Sequence, residues 1–306
     1  MALTLIEAAK QNSGEALRAG VIQVYAQSAD ILRVLPFQDI PGNALKYNQE
    51  ETLPGIGFRG VNEAYSESTG VINPVVEPLV IAGGDLDVDK FIVRTMGVGQ
   101  RTAQEAMKVK ALAHKWSQSF IKGDSESDPR EFDGIQKRIV GSQRIDNNAA
   151  NGPLSLAKLD EAIDAVDEPN YLLMSKAMRR RLTSASRDTS VGGHINYVQD
   201  EFGRRVTVYN DLPILIADPN GHAFPTLAFD EVGPGGGSTS TSIYILGLGE
   251  EKCVGIQNGA TDVTDLGELD TKPVLRTRVE WYNGISIFHP RSIARLWGVT
   301  DAAVVV

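Results

Sequence analysis

A single cysteine, Cys253, stands in 306 residues. An intrachain disulfide framework is therefore impossible, and a zinc site built on cysteine lacks ligands. No stretch approaches the ~18 consecutive apolar residues of a membrane span. The opening MALTLIEAAKQNSGEALRAG is amphipathic and lacks the basic start and apolar core of a signal peptide. Excess positive charge is also missing. Lys and Arg number 30 against 39 Asp and Glu, a net charge of −9. A dedicated nucleic-acid binder is usually basic, although one weakly basic face stays compatible. The four histidines, His114, His194, His222 and His289, show no H-E-x-x-H spacing, and no serine lies in a G-x-S-x-G turn. These absences point to a soluble protein of a reducing cytoplasm with no membrane span, and no spacing points to a cofactor, a metal or a catalytic residue.

What is present is ordinary globular composition, 42% apolar and 23% charged, enough for about two domains. The longest helical pattern is 102–122, TAQEAMKVKALAHKWSQSFIK. Thr102 and Glu105 have capping-box spacing. Ala106, Val109, Ala113, Trp116 and Phe120 form one apolar stripe, with Val109, Trp116 and Phe120 as its core, and Gly123 sits where a left-handed cap would follow. Residues 1–36 read as an arm of one or two short helices. Residues 37–80 are rich in Pro and Gly, with strand-like runs at 44–48 and 57–65, and read as a two-stranded excursion with a flexible tip. The segment has too few large apolar residues for its own core, so it should pack on something else, such as another subunit.

Residues 81–95 alternate as a strand, with Leu86, Val88 and Phe91 on the buried side. An α/β module starts at Ser155, with helices capped by Ser155 and Ser175 and strands at 171–174, 204–209, 213–217, 243–246 and 253–257. Near the C-terminus Asn283-Gly284 signals a hairpin. However, Leu275, Thr277, Val279, Trp281, Ile285 and Ile287 share a face only if the strand runs straight through. One long strand is therefore expected, with Gly284 at a bulge or a close backbone approach.

Three motifs fail on their chemistry. Gly55-Ile56-Gly57-Phe58-Arg59-Gly60 matches G-x-G-x-x-G, but Pro54 precedes it and no helix pattern follows to face a pyrophosphate. Asp85, Asp87 and Asp89 open like a calcium loop, but Lys90 replaces the glycine and Met96 the closing Glu. GPGGGSTS, from Gly233, has no lysine for phosphates and reads as a mobile surface loop. Lys108, Lys110, Lys115 and Lys122 lie on the polar side of the long helix, and Lys176, Arg179, Arg180, Arg181 and Arg187 enrich a second one. Such charges are a solvated face, or they meet phosphates without sequence preference.

The order is an arm, an excursion, a strand, a long helix, an α/β module and a long terminal strand. With LPGIGFRGVNEAYSES, FDGIQKRI, LDEAIDAV, NYLLMSKAMRRRL, YNDLPILIADPN and RTRVEWYNGISIFHPRSIARLWGV, it resembles the tailed-bacteriophage major capsid proteins with the HK97 fold. The resemblance implies an α+β chain. Its parts would be an N-arm (1–36), an E-loop (37–80), a peripheral domain in two parts (81–150 with spine helix 102–122, and 273–306) and an axial domain (151–272). It implies a virion shell protein, assembled in the host bacterial cytoplasm, that forms hexamers and pentamers of an icosahedral shell around double-stranded DNA. Partners would be a portal and separate scaffolding or decoration proteins. A protein nanocompartment of the same fold is the alternative, and a two-domain α/β enzyme the more distant one. The E-loop, with Lys46, Phe58 and Arg59, would lie over a neighbouring subunit. The lysines of the spine helix become candidates for contact with packaged DNA. Some relatives crosslink subunits through an E-loop lysine, an asparagine and a glutamate; Lys46, Asn283 and Glu280 are the candidates here.

Overall fold

The computed structural model describes residues 29–52, 54–96, 99–187, 195–199, 205–217 and 226–305. Most of the expected arm at 1–36, together with His194 and His222, lies outside them. Helix α1 (Asp30–Val34) leads to β1 (Phe37–Asp39), and the strands β2 (Ala44–Thr52) and β3 (Val71–Pro78) follow. Then come β4 (Val80–Asp89), α2 (Lys90–Met96) and the long helix α3 (Gly99–Lys122). After α4 (Ile135–Arg138) and β5 (Arg144–Asp146), the α/β part comprises α5 (Leu156–Asp164), β6 (Tyr171–Met174), α6 (Lys176–Ala185), β7 (Ile195–Gln199), β8 (Arg205–Tyr209), β9 (Leu212–Ile216) and β10 (Thr241–Leu246). The chain ends with β11 (Cys253–Gln257), β12 (Asp262–Glu268), β13 (Val274–Ile287) and β14 (Ile293–Val299).

Three sheets result. The seven-stranded sheet has the order β5-β14-β10-β6-β9-β8-β7, and β2 pairs only with β3. In the five-stranded sheet β13 is the axis, with β4 along it on register Val274↔Asp89 to Asn283↔Val80 and with β11 and β12 also paired to it. Residues on the two faces of a strand alternate, and the seven-stranded sheet uses this to feed two cores. Leu173, Leu215, Tyr244 and Leu246 join the core under α3, while Leu172, Met174, Ile214, Ile243 and Ile245 join the core with α5 and α6.

The single long β13 is borne out. Val279, Trp281, Ile285 and Ile287 are buried on one face. Gly284 is a close approach: a Cβ there would lie 3.2 Å from the Pro78 carbonyl oxygen and from Ile256. The face packs under α3, where the Trp116 indole lies 5.9 Å from that of Trp281 and 5.3 Å from the Phe120 ring. The Trp116 Nε1–H donates to Asn283 Oδ1 at 3.1 Å.

Several local expectations are corrected. Helix α3 starts at Gly99, so Thr102 is not its cap. Glu105 does not fold back on Thr102; its carboxylate accepts from Thr277 Oγ1 (2.8 Å) and Arg101 (3.1 Å). Gly123 is absent from the positive-φ residues. It is required because a Cβ would lie 2.3 Å from the Phe132 carbonyl oxygen, where the loop returns to the helix end. Phe91 is exposed because β4 stops at Asp89, whose Oδ1 accepts from the Phe91 N–H and starts α2. Residues 57–65 are not a strand; the partner of β2 is Val71–Pro78. Its Pro74 and Pro78 are tolerated because β3 is an edge that bonds on one side. Ser155 occupies the cap position of α5 without capping it by its side chain, whereas Ser175 Oγ accepts from the Met178 N–H. The Gly233 loop is a folded turn, clasped by Asn151, whose Nδ2 donates to the Gly237 carbonyl at 3.1 Å.

The sheets also cut across the expected domain boundaries. β14, from 273–306, pairs with β10 and β5, while β11 and β12, from 151–272, pair with β13. Residues 29–35 are likewise core, with Ala29, Ile31, Leu32 and Leu35 buried. Linear order does not reveal this, because hydrogen bonding joins strands far apart in sequence.

Candidate assembly interface

The β2–β3 arm has two different faces. Register pairs Leu45 with Glu77 and Tyr47 with Val75, putting these four on one face. That face turns toward the body. Leu45 packs with Phe288 and Leu79 against Ile40, Val254 and Ile256. The Tyr47 ring lies 4.8 Å from Phe288, edge-on, and its hydroxyl donates to the Ile287 carbonyl at 2.9 Å. Burial pushes that hydroxyl above its usual pKa. Glu77 is buried and takes both Nη groups of Arg138 on α4. Lys46 and Val76 stand on the outer face and are exposed.

Beyond the strands the arm ends in an apolar tip. Ile56, Phe58 and Val61 are 97%, 109% and 93% exposed, and Tyr65, Val71 and Ile72 are exposed too. The tip has internal order. The Ser68 hydroxyl donates to the Gly55 carbonyl at 2.8 Å, and the Arg59 guanidinium lies 5.1 Å over the Tyr65 ring. Phe58 and Arg59 are thus together at the tip, and Lys46 lies back along β2. An extended apolar surface that its own chain leaves bare marks an interaction site.

The lysines of α3 do not form one array. Lys108, Lys115 and Lys122 recur every seven residues and share a face, whereas Lys110 points elsewhere. Lys115 pairs with Glu131, and Lys122 lies 3.2 Å from Asp230 and 3.9 Å from Glu231. Lys108 folds over Gly84 and helps to hold the Asp85 carboxyl below its usual range, behind the larger effect of the Arg278 hydrogen bond. Lys110 is exposed. Val109, Trp116 and Phe120 are all buried.

The glycine and aspartate motifs have ordinary structural settings. Gly55–Gly60 lies in the tip with no helix after it. Asp85 and Asp87 pair with Arg278 and Arg276 across β4–β13. Among the described residues no group of three or more His, Cys, Asp or Glu is placed to hold a metal. Cys253 is fully buried, and burial pushes its thiol up to about 12. Asn283, a crosslinking candidate, is 0% exposed, with its amide committed to Trp116 and to the Trp281 carbonyl.

Sequence reading missed the arm's anchors, Tyr47, Glu77 and Arg138. The one available signal was Glu77 itself, a lone acid in an apolar, β-branched run. It also missed the buried pair Arg295–Glu231 (2.9 Å), in which the Arg295 Nε–H donates to Ser242 Oγ at 2.9 Å.

No family model matches the chain, and no curated protein matches it. Solved structures do. The SrpI encapsulin of Synechococcus elongatus PCC 7942 is 17% identical with a TM-score of 0.68, over 90% of this chain and 89% of that one. The capsid of a native GTA particle is 14% identical with a TM-score of 0.61, over 89% and 91%. Microbacterium phage Oxtober96 gives 12% identity and a TM-score of 0.63, also over 89% and 91%. At such identities the likeness speaks for the fold, and it spans nearly the whole of each chain: this protein has the HK97 fold that phage capsids and encapsulins share.

Proposed function

We propose that this chain is a shell subunit whose work is self-assembly into hexamers and pentamers of a closed icosahedral particle, with no catalytic role. The observation that supports this best is the arm: a two-stranded hairpin, without a core, that carries Ile56, Phe58 and Val61 almost wholly exposed. Burying such side chains is worth roughly 1.5–3 kcal/mol each, so a second copy that covers them gains a substantial contact at every site of the shell. Repeated around closed symmetry, individually modest contacts suffice.

The finer reading is a bacteriophage major capsid protein enclosing double-stranded DNA, with portal, scaffolding or decoration proteins as partners. It rests on the sequence motifs quoted above and on the phage particles among the similar structures. The likeness to the SrpI encapsulin supports a nanocompartment as the second reading. The engagement of Lys115 and Lys122 with carboxylates weakens the DNA-facing role of α3. Negative-stain imaging of the expressed protein tests the shell. Replacing 55–69 by a short turn should leave a folded subunit that forms no particles. Normal particles from that variant refute the role of the tip, and dispersed monomers of the intact chain refute the shell. Nucleic acid against protein in purified particles separates the two finer readings.

A further inference from the structure

Among the described residues the arm meets the body at its root, where the Asn258 amide donates to the Gly42 carbonyl at 3.0 Å. The body-facing set is Leu45, Tyr47, Val75 and Glu77. Leu45 supplies packing that tolerates sliding, and the Tyr47 hydroxyl adds a single hydrogen bond to the Ile287 carbonyl at 2.9 Å, about which the arm can still pivot. Glu77 supplies a directional contact, since Arg138 donates to Oε1 from one nitrogen and to Oε2 from the other, the latter at 2.8 Å. A planar guanidinium facing a carboxylate fixes the angle between the two groups as well as their distance. Arg138 is itself held, because its Nε–H donates to the Asp133 carbonyl at 2.7 Å. Its helix α4 is seated by the buried Ile135, and the Gly134 N–H bonds to the Gly123 carbonyl at the end of α3 (2.9 Å). A continuous chain of contacts thus runs from the end of the long helix to the root of the arm.

We infer that Arg138 is the positioning residue of the arm, setting through Glu77 the angle at which the apolar tip leaves the body. The leverage is large. From Tyr47 to Phe58 an extended chain reaches up to about 35 Å, so a tilt of ~5° at the root moves the tip by up to ~3 Å. That is the scale on which a side chain enters or misses its pocket. Lysine in place of Arg138 keeps the charge but loses the fork, so the two chemistries are separable.

The angle is measurable in the unassembled subunit. Spin labels go on Phe58→Cys and Lys110→Cys, since buried Cys253 stays unlabelled in the folded chain. The unmodified clamp should give a narrow distance distribution. Arg138→Lys and Glu77→Gln should at least double its width. Amide exchange in β2 and β3 should stay as in the parent, since the hairpin itself is intact. The exchanged pair Glu77→Arg with Arg138→Glu should narrow the distribution again. An unchanged width in both single variants overturns the inference. Should Arg138→Lys fail to fold, Glu77→Gln decides it alone, because the amide keeps the carboxylate's shape.

A second arm of the test rests on the shell reading: Arg138→Lys should raise the fraction of misclosed or irregular particles at least several-fold. Absence of particles from the parent chain would count against the shell reading only, and the label distances would still decide the clamp.

Discussion

Replacing Trp116 by alanine tests whether α3 is seated on β13 as described. The indole is 2% exposed and meets Phe120, Phe37, Trp281 and Phe132 with ring centroids 5.3 to 6.2 Å away. Truncating so large a buried side chain costs ~3–5 kcal/mol through lost transfer and the cavity left behind. The change also strips the donor from Asn283 Oδ1, which is 0% exposed and cannot turn to water. An orphaned buried acceptor adds ~1–3 kcal/mol. The sum, on the order of 4–8 kcal/mol, approaches the whole stability of a typical domain, ~5–15 kcal/mol. Trp116→Ala should therefore be largely unfolded or insoluble at 37 °C. Trp116→Phe separates the two effects. It keeps much of the ring packing and loses the N–H, so its cost should sit between the parent and Trp116→Ala. The assay is urea unfolding of the unassembled subunit, followed by tryptophan fluorescence and by circular dichroism. A Trp116→Ala protein within ~1 kcal/mol of the parent would refute the seam between the long helix and the long strand.

Other consequences are open to measurement. Arg295→Met should cost ~3–5 kcal/mol by taking the nearest cation from buried Glu231 and leaving only Lys122 at 3.9 Å among the described cations, and adding Glu231→Leu should recover most of it; a double variant no better than the single one contradicts the pair. Guanidinium hydrogen bonds from Arg278 and Arg276 hold the Asp85 and Asp87 carboxyls below their usual range, and Lys137 lowers Asp124 to about 2. The folded values are depressed, so this stabilisation is complete above the unfolded value of ~4 and is lost as pH falls toward 2. Asp85→Asn with Asp124→Asn should flatten the decline of the urea midpoint between pH 5 and pH 2, and an identical decline rules the account out. Cys253 should resist maleimide at pH 8 in the native protein and react fully in denaturant; rapid native labelling means that β11 is less buried than described.

Much of the local structure was readable from spacing. The stripe through Val109, Ala113, Trp116 and Phe120, and the odd-numbered face of 275–287, each announce an element because one buried face selects one period. Between β8 and β9, Asn210 and Asp211 both take positive φ, the conformation a two-residue hairpin turn requires. The excursion was legible through its Pro and Gly content and its poverty of large apolar residues. Its partner strand was misplaced, because the Gly57–Tyr65 run and the Val71–Pro78 run look alike until one pairs with Ala44–Thr52.

Sequence by itself therefore determined the elements that carry their own periodicity, the absence of a core in the arm, and a resemblance in the order of parts that pointed to the HK97 fold. Only the tertiary structure decided what meets across distance. It seated β14 with β10 and not with β13, joined Trp116 to Asn283, paired Arg295 with Glu231, and clamped Glu77 to Arg138, sixty-one positions away. The physical reason is that side-chain period is a local property of the backbone, whereas a hydrogen bond between distant residues is set by the packing of the whole chain. A lone glutamate in a strand is only a charge until the fold brings a guanidinium to it.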